Sequence, residues 1–206
     1  LNPADPEHTG VQLAPNIAYL KSSLEAPEAT QASLGLTQRL GSSGLFLGID
    51  GVWVKGDDEI VARDVNFKGN AAGGGRPNPA YTKVTKYTNE GRSEYQALML
   101  TLNGTIGNGH LINASVTYSD KKNISDDFSP ALNDYPSDPA DIEAEWGPGR
   151  GDERWRAVVS GVFRLPWQMA LAPIWEYGSG QPWTQRLGYD YNGDGRYSDR
   201  PAGVGR

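Results

Sequence analysis

Apolar and polar side chains alternate along much of this chain with a period of two residues. Within residues 95–103, Leu98, Leu100 and Leu102 fall on one side, while Thr101 falls on the other. This period is typical of a β-strand, because successive side chains point to opposite faces of a sheet. The alternation is clear in residues 31–40, 45–55, 95–103, 111–119, 156–165 and 168–177, and weaker in residues 11–20. We therefore expect an all-β chain with six or seven strands.

The predicted strands have one apolar face and one face that carries Arg, Asn, Thr, Ser and Gln. Each is about nine to eleven residues long, the length at which a tilted strand crosses a bilayer. Strands buried on both faces in soluble proteins are often almost continuously apolar. The alternation therefore favours strands with lipid on one side and water on the other.

The connectors between these strands alternate between short and long. Residues 41–44, 105–108 and 166–167 form tight turns, whereas the connectors at 56–93, at 119–153 and from 178 onward are long and polar. This alternation is typical of an outer-membrane β-barrel with short periplasmic turns and long extracellular loops. We predict that residues 1–206 are part of an antiparallel, up-and-down transmembrane β-barrel. Its partner would be outer-membrane lipid, and its location the bacterial outer membrane.

Aromatic residues strengthen the membrane interpretation. Most of them lie near the long-loop ends of the predicted strands, and Trp167 lies at a short turn. Rings at both ends of the strands are expected where a barrel meets the two lipid–water interfaces. A secreted or cell-surface β-sandwich with ordinary core aromatics, binding calcium and carbohydrate, remains the alternative.

Composition excludes several other classes of protein. The chain has no cysteine, which removes disulfides and thiolate metal sites. Its net charge of −6 argues against nucleic acid as a partner, since phosphates require a basic surface. Only two histidines are present, so hydrolytic triads and zinc sites have little support. We expect no enzymatic activity; a glycosidase using paired carboxylates is the weakest alternative.

Several motifs point to a known family. They are Arg164-Leu165-Pro166-Trp167, then Tyr177-Gly178-Ser179-Gly180-Gln181-Pro182-Trp183-Thr184, the run Asp190-Tyr191-Asn192-Gly193-Asp194-Gly195 followed by Asp199-Arg200-Pro201, and Ala114-Ser115-Val116-Thr117-Tyr118-Ser119. Together they resemble the barrel of Oar-like TonB-dependent outer-membrane receptors. The resemblance covers residues 30–206. Where those receptors commonly carry an Arg-His pair before the "LP" strand, this chain has Asp152-Glu153-Arg154-Trp155.

The resemblance implies a role in transport. The complete protein would import an unknown ligand across the outer membrane, using energy relayed by the TonB complex. The plug domain, the TonB-contacting segment and the closing strand of such receptors are not seen in these residues. We therefore expect this chain to be a segment of a longer protein.

Two sets of residues are candidates for binding. Asp190, Asn192 and Asp194, followed by Gly195, have the spacing of the first half of a calcium loop, with Asp199 as a further ligand. The alternative is a turn held by Asx hydrogen bonds, without a metal.

The second set consists of charged residues on the polar faces of the strands: Arg39, Arg156, Arg164 and Glu176. In a barrel these side chains would face the lumen and line the substrate path. Alternatively, they form ion pairs between strands with a purely structural role.

Overall fold

A computed structural model of the chain describes residues 14–68, 75–126 and 136–206. The strands are β1 (Asn16–Leu20), β2 (Glu28–Arg39), β3 (Gly44–Asp64), β4 (Lys83–Ile106), β5 (His110–Asn123), β6 (Gly147–Pro148), β7 (Trp155–Arg164), β8 (Ala170–Leu171) and β9 (Ile174–Gly178). A single turn of 3-10 helix spans Ile142–Glu145 and begins at Asp141, whose carboxylate accepts a hydrogen bond from Ala144 N. In these ranges no helix is long and apolar enough to cross a membrane.

The strands form one antiparallel, up-and-down sheet. β2, β3, β4, β5 and β7 pair in chain order, and β8 and β9 both pair with β7 at the far edge. Within the described residues the sheet is open, with β2 at one edge and β8 and β9 at the other. This arrangement confirms the predicted all-β, up-and-down fold of a barrel segment.

The pairing register places the apolar positions of all the long strands on one face. Leu36, Ile49, Leu100 and Val116 lie side by side across four strands, and each is more than a third exposed. No second sheet covers this face in the described part of the chain. The β-sandwich alternative is therefore wrong, because a sandwich buries its apolar face between two sheets.

The strands β3 and β4 are longer than predicted, with 21 and 24 residues. Residues 56–64 and 83–93 of the predicted long connector 56–93 are therefore strand. The pairing shifts register at Gly56/Glu59 and again at Glu59/Val61. These bulges interrupt the alternation, which is why the sequence pattern ended near residue 55.

β1 departs from the predicted order. Residues 11–13 of the predicted strand 11–20 lie outside the described residues, and Asn16–Leu20 pairs in parallel with the start of β4, at Lys83–Tyr87. β1 is therefore a short parallel strand beside the long-loop end of β4. The up-and-down sheet itself consists of six segments, namely β2, β3, β4, β5, β7 and the edge formed by β8 and β9 together. The side-chain pattern of a short strand does not indicate whether its partner runs parallel or antiparallel. The sequence therefore could not predict the parallel pairing of β1.

The predicted strand 168–177 is divided by Pro173 into β8 and β9. Proline has no N–H to donate to the ladder, yet Pro173 O still accepts a hydrogen bond of 3.2 Å from Gly161 N. The register on β7 is the same before and after this point, pairing Phe163 with Leu171 and Ser160 with Ile174. β8 and β9 thus act as one edge strand with a local break.

Side chains are buried mainly on the long-loop side of the sheet. We define the membrane sheet as residues 30–55, 94–118 and 155–178, and the loop layer as residues 14–29, 56–68, 75–93, 119–126, 136–154 and 179–206. The buried apolar residues are Val61, Ala62, Phe67 and Ile124. All four belong to the loop layer, so the compact core of the molecule lies at that end.

Candidate functional site

The four predicted lumen residues lie on the polar face of the membrane sheet, but only two of them meet. Arg156 on β7 contacts Glu176 on β9 at 3.4 Å and Glu153 at 3.1 Å. Arg39 and Arg164 lie at the opposite, short-turn end. The Arg39 side chain donates to Ser43 O at 3.2 Å, and the Arg164 guanidinium lies beside Gly109.

The Arg156–Glu176 pair is accessible to solvent, since 52% and 59% of the two side chains are exposed. Such pairs contribute at most about 1 kcal/mol to stability. A contribution to stability therefore does not account for the presence of Arg156 and Glu176 on the polar face. Their position, within an open polar surface opposite the apolar face, suits contact with a solute.

Asp50 is a polar-face charge that the sequence analysis did not select. It pairs with Gly35 on β2 and Met99 on β4, so it lies near the centre of the sheet. The available signal was an aspartate within an otherwise apolar strand, between Gly48 and Gly51. The prediction of the strands rests on their apolar positions. In residues 45–55 the opposite face carries both apolar and polar residues, so Asp50 does not stand out by alternation.

The apolar face carries the predicted aromatic residues. Tyr118 and Trp155 contact each other with ring centroids 4.8 Å apart, and Trp175 stacks on Tyr177 at 6.3 Å. Trp53 donates its indole N–H to Glu94 at 3.2 Å. These rings lie near the long-loop end of the strands, and Trp53 joins an apolar ring to a polar partner, as interfacial aromatics do.

A cavity of about 640 Å³ opens on this same apolar face. Leu34, Trp53, Leu98 and Tyr118 line it, with Asp120 near the long-loop end. Its lining belongs to the face that carries the exposed leucines and aromatics. We therefore interpret it as a groove on the outside of the sheet, separate from the polar-face residues.

The calcium candidate residues lie in the loop layer, where they organise a turn. The Asp190 carboxylate accepts hydrogen bonds from the backbone N–H groups of Gly193, Asp194 and Gly195, at 2.7 to 3.1 Å. Asn192 Oδ1 accepts from Asp194 N at 2.8 Å. These are Asx hydrogen bonds, which form the turn from protein groups alone.

Asp199 closes the same turn from its far side. Its Oδ2 atom accepts hydrogen bonds from Tyr191 N at 2.8 Å and Asn192 N at 3.4 Å. Among the described residues, no group of three or more His, Asp or Glu side chains is arranged to hold a metal ion. The residues have the oxygen chemistry that calcium prefers, and calcium at Asp190, Asn192, Asp194 and Asp199 stays a prediction.

Asp194 and Asp199 are both nearly fully buried. Burial raises the pKa of Asp194, because a buried carboxylate loses hydration, and the nearby carboxylates of Asp199 and Asp190 act in the same direction. The backbone N–H of Arg196 and its cationic side chain oppose this shift. The turn is thus a place where added positive charge would be favourable.

A second cavity, of about 530 Å³, lies in the loop layer next to this turn. Its lining includes the aromatic residues Tyr189 and Tyr191 and the charged residues Asp138, Asp141 and Arg200. Both tyrosines are more than half exposed, and their rings meet edge to face at 6.4 Å. Aromatic faces beside carboxylates and a guanidinium can bind a ligand that has both apolar and polar groups.

Long-range ion pairs hold the loop layer together around this cavity. Arg200 donates to both oxygens of Glu145, at 2.8 and 2.7 Å, and about 90% of each side chain is buried. Arg206 donates one hydrogen bond to Asp126 Oδ2 and one to Asn123 Oδ1, while Arg76 bridges Asp64 and the backbone oxygen of Asp194. The tail 179–206 is therefore fixed against the loop 136–154 and the end of β3.

Comparisons with known proteins agree with this geometry. The sequence matches the family described as "Outer membrane beta barrel domain" over residues 2–205. A comparison with curated proteins gave no match. Among solved structures, the fold is similar to that of the outer membrane transporter YddB from Escherichia coli, with a TM-score of 0.58 and 14% sequence identity. The similarity covers 88% of this chain and 24% of the transporter chain, about a quarter of its length.

Proposed function

Because this chain belongs to the outer membrane beta barrel domain family and lies in the bacterial outer membrane, we propose that it forms part of the wall of an uptake barrel. In this proposal the apolar face contacts lipid, and the polar face lines the interior. The substrate binds first in the loop layer and then passes the charged residues of the polar face. The proposal assigns binding and passage to the chain, with no covalent chemistry.

The observation that carries the proposal is the placement of the large apolar side chains on one face of the sheet and of the charged lumen candidates on the other. Leu36, Ile49 and Leu100 occupy neighbouring positions on one side of the sheet, and Arg156 and Glu176 lie on the other. An exposed apolar band is stable in lipid, whereas charges on that band would be costly. The charged face is then the one available to a solute.

The loop-layer cavity supports capture of the substrate from outside. The cavity lies on the side of the sheet with the long connectors, which face the cell exterior in barrels of this kind. Tyr189 and Tyr191 are exposed there although they are large aromatic residues. Exposed aromatic rings beside charged groups are common in sites that bind ligands.

We further propose that uptake is coupled to the TonB complex. This step rests on the motifs that resemble Oar-like receptors, above all the run from Asp190 to Pro201. In the structure this run forms the turn at Asp190 and supplies Tyr191 and Arg200 to the loop-layer cavity.

The test compares three strains of the source bacterium: one with the complete protein, one without it, and one in which the complete protein carries Tyr189→Ala and Tyr191→Ala. Mass spectrometry of the growth medium then measures which solutes each strain removes. We expect at least one solute to be removed only by the first strain. A proton uncoupler should stop this uptake.

Three results would contradict parts of the proposal. Identical solute removal by all three strains would contradict uptake. Uptake that continues in the presence of the uncoupler would contradict coupling to the TonB complex and would leave a passive barrel. Normal uptake by the variant with Tyr189→Ala and Tyr191→Ala would show that the substrate does not pass through the loop-layer cavity.

A further inference from the structure

Three oxygen atoms surround a point above Gly48, on the polar face of the membrane sheet. Gly48 on β3 pairs with Thr37 on β2 and with Thr101 on β4. A Cβ atom placed on Gly48 would overlap Thr101 Oγ1, and it would lie 3.7 Å from both Asp50 Oδ2 and Thr37 Oγ1. The Thr101 hydroxyl occupies the position of the missing glycine side chain, and the Thr37 hydroxyl and the Asp50 carboxylate border the space beside it.

A second glycine makes room for the carboxylate itself. Gly35 pairs with Asp50, and a Cβ atom on Gly35 would overlap Asp50 Oδ1. The Asp50 side chain thus lies flat across the neighbouring strand. Gly48 is buried beneath this arrangement, although Leu47 and Ile49 beside it are exposed. Glycine weakens a strand, so two glycines around one carboxylate suggest a role other than strand stability.

The three side chains have no partner within the described part of the chain. No hydrogen bond or ion pair there involves the carboxylate of Asp50 or the hydroxyls of Thr37 and Thr101. Arg156 is in the same row but three strands away, about 14 Å at the usual ~4.8 Å per strand, and it already pairs with Glu153 and Glu176. A carboxylate in a partly enclosed polar space is stabilised by a cationic donor.

We propose that Thr37, Asp50 and Thr101 bind a primary ammonium group in the space above Gly48. An ammonium group has three N–H donors and no acceptor, and the three side chains can each accept one hydrogen bond. A guanidinium is a planar fork that suits bidentate pairing with one carboxylate. A calcium ion needs six to eight oxygen ligands, more than these three side chains supply.

The ammonium group could belong to a solute in the barrel or to a lysine of the complete polypeptide. The hydrogen-bonding chemistry is the same for both sources. The assignment rests on the proposed function in one respect, namely that the polar face lines the interior. The experiment that tests the ammonium site measures binding without transport. A failure of ammonium binding can therefore be distinguished from a failure of uptake.

The test uses the complete protein in detergent, a water-soluble carbodiimide, and n-propylamine as the probe. The carbodiimide activates a carboxylate; the amine nitrogen then attacks the acyl carbon, an amide forms, and the carbodiimide leaves as its urea. Peptide mass spectrometry measures the amide at Asp50 as the amine concentration rises. Glu28, an exposed carboxylate on β2, serves as the internal reference.

We expect amide formation at Asp50 to reach half of its maximum at a lower amine concentration than amide formation at Glu28, because binding raises the amine concentration beside Asp50. A cross-link between Asp50 and a lysine, formed without added amine, would instead identify the polypeptide as the source of the ammonium group. Both results support the proposal. If Asp50 shows no cross-link and reaches half of its maximum at the same amine concentration as Glu28, the proposal is wrong.

Variants at two glycines of β3 give a matched comparison. Gly48→Ala fills the space, and we expect about a tenfold weaker half-saturation, the loss expected for one charge-assisted hydrogen bond or more. Gly51→Ala should leave the half-saturation unchanged, because the nearest atom to its Cβ is Leu34 O at 3.9 Å. Thr101→Val retains the shape and removes one acceptor, and it should also weaken binding. Equal behaviour of Gly48→Ala and wild type would overturn the proposal.

Discussion

The membrane sheet and the loop layer are stabilised in opposite ways. In the membrane sheet the large apolar side chains are exposed, as at Leu34, which is 83% exposed, and Leu36, which is 69% exposed. In the loop layer, ten polar or charged residues are buried, against four apolar ones. The sheet therefore depends on lipid to cover its apolar face, whereas the loop layer depends on hydrogen bonds and ion pairs within the protein.

This difference assigns separate tasks to the two regions. A sheet whose outer face needs only to be apolar tolerates many sequences, so long as the alternation is kept. A layer held by specific pairs such as Glu145 with Arg200 needs particular partners, because an unpaired buried charge is costly. We expect the shape of the loop-layer cavity to depend on those pairs and the membrane position of the chain to depend on the sheet.

A charge placed on the outer face of the sheet should have the largest effect. Leu100→Arg, near the middle of the part of β4 that belongs to the membrane sheet, should destabilise the complete barrel by about 2–4 kcal/mol, the cost of arginine facing the bilayer centre. Urea unfolding in lipid vesicles measures this loss. Met99→Arg is the matched control, because Met99 is the next residue and lies on the polar face beside Asp50. Equal losses for the two variants would contradict the assignment of the faces.

Removing a buried partner in the loop layer should have the next largest effect. Arg200→Ala leaves the buried Glu145 unpaired and should cost about 3–5 kcal/mol locally. Hydrogen exchange at residues 136–146 and 187–200 would show the loss. Lys55→Ala is the control, because Lys55 and Asp57 form an ion pair with both side chains about half exposed, worth at most about 1 kcal/mol. A similar, small effect of both changes would show that the loop layer does not depend on its buried pairs.

Calcium should stabilise the turn around Asp190. With a dissociation constant in the range of extracellular calcium sites, ~0.1–1 mM, 10 mM calcium would add about 1–3 kcal/mol to local stability. Limited proteolysis of the tail 179–206, with calcium or with a chelator, measures the change. Asp190→Asn should abolish the difference while retaining most of the hydrogen bonds. If calcium has no effect on wild type, the turn is held by its Asx hydrogen bonds alone.

The smallest effect concerns pH and Asp194. Because burial raises the pKa of this carboxyl, the folded layer binds the proton more tightly than the unfolded chain does. In the absence of calcium, the contribution of Asp194 to stability is complete below the ordinary carboxyl pKa and is lost as pH rises through the raised value. Asp194→Asn should flatten this part of the pH dependence of hydrogen exchange. An unchanged dependence would contradict the assignment to Asp194.

The sequence predicted the membrane sheet well because a single physical rule governs it. Leu98, Leu100 and Leu102 alternate with polar-face residues since lipid lies on one side only, and the structure confirms the strands and their faces. The alternation of apolar and polar side chains is expected only where one face of the sheet contacts lipid. Beyond Gly56 the strands β3 and β4 continue through bulges, and their side chains pack within the loop layer instead of alternating between lipid and water.

The contacts within the loop layer and around Gly48 could not be predicted from local patterns. Arg200 meets Glu145 across 55 residues of chain, and no periodicity links such distant positions. Asp50 was visible as a charge in an apolar strand, but its setting depends on glycines at two other positions, Gly35 and Gly48. The calcium spacing at Asp190 was readable, yet spacing alone does not separate a metal loop from an Asx turn.

The most direct test of the account is cysteine accessibility along β4 in the complete protein. Residues 1–206 contain no cysteine, so a single cysteine introduced at one of positions 98 to 103 is the only thiol of this chain, and it can be labelled in isolated outer membranes with a charged, water-soluble maleimide, with the unsubstituted protein as the background. The account predicts alternation: cysteines replacing Met99, Thr101 and Asn103 react, and those replacing Leu98, Leu100 and Leu102 do not. Equal labelling at all six positions would contradict a sheet with lipid on one face and water on the other.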